Sequence, residues 1–349
     1  MVQDQKYLKR CIELALQGAG SVSPNPMVGA VIVCNNQIIG EGYHMQFGQP
    51  HAEVNAVSNV FSKHKNAKKL LRNSTIYVNL EPCSHHGKTP PCTDLIISNE
   101  IPRVVIGCRD PFDQVNGQGI EKLKKAGIEV VENILTNNSL ELNKRFFTRV
   151  QKQRPYIILK WAQTSDGYFA PETGAQKWIS SAASKILVHR WRTEEDAVLV
   201  GKNTVLTDNP RLNSREWPGK SPIRIIIDRR LELHEDLHIF DQTQDTIIFN
   251  EKKTDVDGMV KYLELEDFDN YLPQLIAFQL YLMDIQSLII EGGAETLNLF
   301  IRAGLWDEAR VFTAPQSWNA GLKAPEITGS LLAEEKIGQD ILRIWNNAI

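Results

Sequence analysis

His51-Ala52-Glu53, then Glu81-Pro82-Cys83-Ser84-His85-His86-Gly87-Lys88-Thr89-Pro90-Pro91-Cys92, are the two stretches on which the reading of this chain turns. Pro50 stands where a helix tolerates proline best, so a helix opens at Pro50-His51 and runs to about Ser62. Thr75 to Leu80 reads as a strand that delivers the chain to Glu81-Pro82-Cys83. The chain has five cysteines, Cys11, Cys34, Cys83, Cys92 and Cys108, an odd number scattered over its first third. Thiol or metal chemistry fits such a set better than a disulfide framework.

Working outward, Tyr7 to Gln17 carries apolar residues at helical spacing, and Ala30 to Cys34 is a buried-strand run. Asn35-Asn36 turns the chain into a hairpin partner at Gln37 to Gly40. Cys92 to Ser98 reads as helix, Arg103 to Cys108 as strand, Gly119 to Ala126 as helix and Ile128 to Val131 as strand. That order describes a three-layer α/β domain. Ser139 to Gln153 reads as one polar connecting helix, stopped by Pro155. Beyond it come strand Tyr156 to Trp161, helix Ser181 to Arg192, strands Asp196 to Gly201, Ile223 to Asp228 and Thr246 to Phe249, helix Asp269 to Met283, strand Ser287 to Ile290 and helix Glu295 to Ala303. These make a second α/β domain.

The length of 349 residues suits two domains, placed at 1–147 and 153–349. With 42% hydrophobic and 23% charged residues the chain is globular. A net charge of −3 gives no basic surface to displace counterions, so no nucleic-acid partner is expected. No run approaches a signal peptide or a membrane span, so no membrane partner is expected and the address reads as cytoplasmic.

Hydrolysis of a ring carbon–nitrogen bond needs a fixed cation, a water acidified by it, and one carboxylate to carry protons. His51, Cys83 and Cys92 supply three zinc ligands, which leaves a fourth place to water, and Glu53 is the proton carrier. Mid-helix, residues two apart point roughly 200° away from one another, so His51 and Glu53 share a site only over a helix end. The zinc-deaminase pattern H-x-E with P-C-x-x-C is met except that eight residues, Ser84 to Pro91, separate the two cysteines. His85, His86, Lys88 and Thr89 of that loop can meet an anionic group. A closed structural zinc site with His85 or His86 as fourth ligand remains the alternative. His44 and His64 read as surface or satisfied core residues, and Cys11, Cys34 and Cys108 as small core hydrophobes.

With Ser23-Pro24-Asn25-Pro26-Met27-Val28-Gly29, these stretches resemble the deaminase half of the bifunctional riboflavin-biosynthesis deaminase-reductases. Leu159-Lys160 to Asp166-Gly167, Lys177-Trp178-Ile179-Ser180, Asn203 to Pro210 and Glu291-Gly292-Gly293 resemble the reductase half, in the same order. The resemblance implies a cytidine-deaminase-like α/β/α domain followed by a dihydrofolate-reductase-like α/β domain. It implies one Zn2+ per chain, NADPH, a pyrimidine ribotide as small-molecule substrate, and a homo-oligomer. It also implies that Asn25 reads the pyrimidine, that Gln176, Arg192, Leu212, Arg215 and Glu291 touch the second substrate, and that Gln163, Trp178, Thr204, Asp208, Gly292, Gly293, Ala294, Glu295 and Thr296 touch the cofactor. Ser165 stands where the family tends to have Leu, and Gln176 where it has Ser. Two other readings are a nucleic-acid base deaminase and a zinc-stabilised regulatory protein that senses a nucleotide.

Overall fold

The computed structural model describes residues 2–84, 90–111, 116–172 and 179–347. The chain forms two compact units, residues 1–153 and 154–349. In the first, strands β1 (Gly29–Cys34), β2 (Gln37–Tyr43), β3 (Ser74–Leu80), β4 (Arg103–Cys108) and β5 (Glu129–Val131) form a sheet in the order β2-β1-β3-β4-β5. β1 is antiparallel to both its neighbours, and β3, β4 and β5 run parallel. Asn35 and Asn36 turn the hairpin with φ of 49° and 63°, a conformation asparagine tolerates.

Side chains alternate across β1 and divide the core in two. Ala30, Ile32 and Cys34 meet α2 (Ala52–Lys63), α3 (Ala67–Leu71), α4 (Cys92–Ser98) and α5 (Gln118–Lys125) through Val57, Leu71, Ile96 and Leu123. Val31 and Val33 meet Tyr7, Leu8 and Cys11 of an N-terminal helix, Val2–Ala15, on the other face. The result is three layers, helix, sheet and helix.

The connecting helix read from the sequence is two helices, Thr136–Leu142 and Lys144–Lys152, both inside the first unit. The break is Asn143, whose amide brackets Met27: Oδ1 accepts its N–H at 2.8 Å and Nδ2 donates to its carbonyl at 2.9 Å. Asn79 does the same one step on, accepting from Gly29 N–H at 2.8 Å and donating to Met27 O at 3.0 Å. Two buried amides therefore fix the segment that follows Asn25.

The second unit holds a ten-stranded sheet. Its strands are β6 (Tyr156–Thr164), β8 (Ala197–Gly201), β9 (Ile223–Ile227), β10 (Thr246–Asn250), β11 (Asp255–Asp257), β12 (Val260–Glu264), β13 (Ser287–Ile290), β14 (Glu308–Ala314), β16 (Ser330–Ile337) and β17 (Asp340–Asn346). Their order is β11-β12-β10-β9-β8-β13-β6-β14-β17-β16. A small pair, β7 (Tyr168–Ala170) with β15 (Leu322–Lys323), stands apart. From β12 to β14 all neighbours are parallel. Of these, β6, β8, β9, β10 and β13 are buried over most of their length and read as largely aliphatic runs. Helices Leu272–Leu282 and Ala294–Arg302 cover one face through Ile276, Leu280, Leu297 and Phe300, and helix Ala182–Glu194 covers the other through Val188 and Trp191.

The strands after residue 304 escaped the sequence reading because their pattern is polar. β14 buries Glu308 and Arg310 as a pair at 2.6 Å, with Arg310 also lying 4.5 Å from the Trp191 ring centre. β16 is largely exposed.

Candidate active sites

β3 ends where the chain must turn towards α4, and Glu81 secures that corner. Its buried carboxylate accepts the N–H groups of Asp110, Gly117, Gly119 and Ile120 at 3.0 to 3.3 Å. The strand ends of β3 and β4 and the start of α5 are thereby one rigid edge, at the carboxyl ends of parallel strands where α/β sheets bind ligands. Cys83 follows at once, and Cys92 opens α4, its N–H donating to Cys83 Sγ at 3.3 Å.

His51 is the N-cap of α2 and Glu53 lies in its first turn. The helix end therefore allows both side chains to serve one site. His51 Nδ1 is 3.6 Å from Cys83 Sγ and 3.4 Å from Cys92 Sγ, and the three ligand atoms lie within 4.8 Å of one another. One imidazole and two thiols at that spacing match the donor set of a zinc site. The Cys92 thiol and the His51 imidazole hold the Cys83 thiol down at about 4 against an opposing burial effect, while that neighbour and burial push Cys92 up. Burial, reinforced by Cys83, raises the Glu53 carboxyl. His85 and His86, the alternative fourth ligands, and Lys88 and Thr89 fall outside the described residues.

Asn25 sits in a turn closed by its N–H on Val22 O at 2.8 Å. Its Nδ2 lies 3.0 Å from His44 Nε2, and the His44 ring meets the His51 ring edge-on at 5.5 Å. Three sequence-read residues, Asn25, His51 and Glu53, are thus gathered at one edge of the sheet. His44 is a buried link between them that a lone histidine in sequence does not announce. Cys11, Cys34 and Cys108 are buried in the core, as read.

In the second unit Glu291, just past β13, accepts both Nε and Nη2 of Arg192 at 2.7 and 2.9 Å. Lys160 of β6 faces the same carboxylate at 3.7 Å. Burial would raise Glu291, but Arg192 and Lys160 outweigh it and hold the carboxyl at about 2. Burial lowers the Lys160 ammonium, with Glu291 opposing. Arg192 also donates to Asn213 O at 2.9 Å, and the Arg215 guanidinium donates to Asn213 Oδ1 at 3.0 Å. Leu212 is buried beside them with a φ of 53°. Arg192, Leu212, Arg215 and Glu291 are therefore one neighbourhood. Lys160 joins it, and the sequence signal for it was a charge inside an aliphatic strand.

Thr204 and Thr296 both lie close to Gly293. A Cβ placed on Gly201 would stand 2.5 Å from Thr296 Oγ1, one on Gly292 would strike Val200 at 2.6 Å, and one on Gly293 would lie 3.3 Å from Thr204 Oγ1. Glycine here lets β13 and the helix from Ala294 close on β8, and leaves the helix start open to a phosphate. Asp208 ends its seven-residue helix, Lys202–Asp208, and burial raises its carboxyl. Gln163 accepts from Trp161 Nε1 at 2.9 Å. Gln176 and Trp178 lie outside the described residues.

Comparison with known proteins agrees with this division. Residues 1–108 match the cytidine and deoxycytidylate deaminase zinc-binding region, and residues 155–318 match the RibD C-terminal domain. The chain thus joins a zinc-binding deaminase domain of cytidine-deaminase type to a dihydrofolate-reductase-like domain of the NADPH-dependent reductase type. It is 40% identical to riboflavin biosynthesis protein RibD of Aquifex aeolicus, over 97% of each chain, and 36% identical to that of Escherichia coli, over 90% of this chain and 88% of the other. A Thermotoga maritima structure, a diaminohydroxyphosphoribosylaminopyrimidine deaminase/5-amino-6-(5-phosphoribosylamino)uracil reductase, superposes with a TM-score of 0.90 at 36% identity, covering 99% of each chain. Acinetobacter baumannii RibD superposes at 0.89 with 32% identity. The chain belongs to the RibD family, the bifunctional deaminase-reductases of riboflavin biosynthesis. Among the described residues no helix is long and apolar enough to cross a membrane.

Proposed function

We propose that residues 1–147 deaminate 2,5-diamino-6-(5-phosphoribosylamino)pyrimidin-4(3H)-one, and that residues 153–349 reduce the ribosyl group of the product to ribityl with NADPH. The observation that carries the reading is the convergence of His51, Cys83 and Cys92 on a common point, with Glu53 in the adjacent helical turn. The separation of the chain into compact units after Gln153 supports the division of labour.

His51, Cys83 and Cys92 would hold zinc, which would supply the acidification of a water. Glu53 takes a proton from the attacking water, delivers it to the ring nitrogen, and passes the next to the departing amine, so that water enters at C2 and ammonia leaves. A buried carboxyl with a raised pKa is suited to both halves of that transfer. Asn25 holds the pyrimidine.

In the reductase, Arg192, Arg215, Glu291, Leu212 and Gln176 hold the ribotide. Arginine suits its phosphate because the guanidinium grips oxyanions through paired bonds. Gln163, Trp178, Thr204, Asp208 and the turn Gly292, Gly293, Ala294, Glu295 and Thr296 hold NADPH, whose nicotinamide supplies the hydride. A cytoplasmic address, a substrate that is not nucleic acid, and self-association of the chain complete the reading. The net charge of −3 supports the second of these, and sedimentation tests the third.

The test is to follow ammonia release and NADPH consumption on the diaminopyrimidinone ribotide with and without a chelator. Ammonia release stops on chelation, whereas NADPH oxidation on already deaminated ribotide continues. Loss of both together would overturn the two-site reading.

A further inference from the structure

Asn25 has two chemically opposite ends, and which one faces the substrate decides what it can read. The structure settles this through His44. The His44 ring is buried, with Nδ1 3.1 Å from the carbonyl oxygen of Pro50 and Nε2 3.0 Å from Asn25 Nδ2. A carbonyl oxygen only accepts, so Nδ1 carries the proton. In the neutral ring Nε2 then offers a lone pair, and only the NH2 end of the Asn25 amide can meet it. Both ring nitrogens are thus engaged. Asn55 Nδ2 also donates to Pro50 O at 3.3 Å, His44 N–H is held by Val28 O at 2.9 Å, and the ring edge rests on His51. Asn25 is half-buried, and its Oδ1 has no protein donor among the described residues.

We propose that His44 is a positioning residue that fixes the polarity of Asn25, so that the deaminase presents a carbonyl acceptor to the pyrimidine and selects a ring that carries N–H at position 3. This rests on the reading of Asn25 as the residue that holds the pyrimidine. The substrate named above is a 4(3H)-one and carries that proton. A pyrimidine with an unprotonated N3, such as a cytosine ring, would set a lone pair against Oδ1. The selection is therefore against the other common class of aminopyrimidine, made by an acceptor whose direction the imidazole imposes. N3–H is present in substrate and product alike, so the bond is one of uniform binding and acts on KM more than on kcat.

The experiment uses the zinc-loaded full chain. It compares wild type, His44→Leu, His44→Gln and Asn25→Ala for zinc content, for KM and kcat of ammonia release, and for competitive inhibition by the diaminopyrimidinone ring with and without a methyl group on N3. In wild type the methyl group weakens inhibition. In His44→Leu the amide turns freely, KM rises roughly tenfold with kcat little changed, and the discrimination against the methyl group collapses by a similar factor. His44→Gln, which can still accept from Asn25, restores most of both. Unchanged discrimination in His44→Leu at full zinc content, or a Gln variant no better than Leu, overturns the proposal. An Asn25→Ala variant with normal KM overturns instead the reading on which the proposal rests, and the absence of ammonia release from wild type overturns the assignment of function.

Discussion

His51 and Cys92 are 41 residues apart and sit at the starts of neighbouring helices, whereas Arg192 and Glu291 are 99 residues apart, one on a helix and one just past a central strand. The first site concentrates its chemistry in soft ligands whose identity dictates a metal. The second spreads its charge over one carboxylate, one guanidinium and one ammonium, which together leave one positive charge over. A metal site requires particular atoms at fixed separation, so few residue types can serve. A hydride-transfer site asks the protein mainly to bind and orient, and many residue types can do so.

The sharpest way to break this contrast is Cys83→Ser. It should empty the metal site, measured as zinc per chain, and reduce ammonia release beyond roughly 10⁴-fold, since the acidified water and its anchor are lost together. Reduction of the deaminated ribotide should persist in the same preparation. Next, Glu53→Gln should keep its zinc and lower kcat for ammonia release by about 10² to 10⁴-fold, the range of one proton-transfer group. A variant that lost zinc as well would make Glu53 part of the donor set.

On the other side of the comparison, Glu291→Gln leaves Arg192 and Lys160 buried without their counter-charge. Destabilisation of the second unit by roughly 3 to 5 kcal/mol is expected in calorimetry, with the first unit's transition unmoved. The pH dependence has a definite sign. Glu291 is held at about 2 against an ordinary 4.5, so its contribution is complete above pH 4.5 and disappears as the pH falls from there towards 2. The shift corresponds to roughly 3 kcal/mol, and the variant should lack that part of the acid sensitivity. The smallest effect is that of Asn143→Ala, which removes the side-chain acceptor of the Met27 N–H and leaves the Met27 carbonyl to Asn79. A loss of about 1 to 3 kcal/mol in the first unit is expected from urea unfolding, together with a raised KM for the pyrimidine, because Asn25 lies two residues away.

Most helices and strands of the first unit were legible because they are short, strongly patterned and bounded by Gly, Pro or Asn, whereas the five-residue helix α3 was too short to show a period. Cys92–Ser98 and Arg103–Cys108 have the bounds read from the sequence. The break at Asn143 was not, because a polar residue inside a polar helix gives no sign that its amide is claimed by Met27, 116 residues away. The last strands were hidden for a related reason. Buried Glu308 and Arg310 pair inside the sheet, and the pattern of the sequence records only that they are charged.

The sequence alone singled out His51, Cys83 and Cys92 as candidate donors, Glu53 near them, and the order of two α/β domains, because those follow from residue type and spacing along the chain. Tertiary structure decided what no spacing records: that His51 caps its helix with Glu53 in the first turn, that Lys160, Arg192 and Glu291 form one charge cluster, and that Asn25 turns its amide nitrogen to His44. The physical reason is that hydrogen bonds and ion pairs between distant segments depend on direction and separation in space, and both come into being only when the sheets have closed.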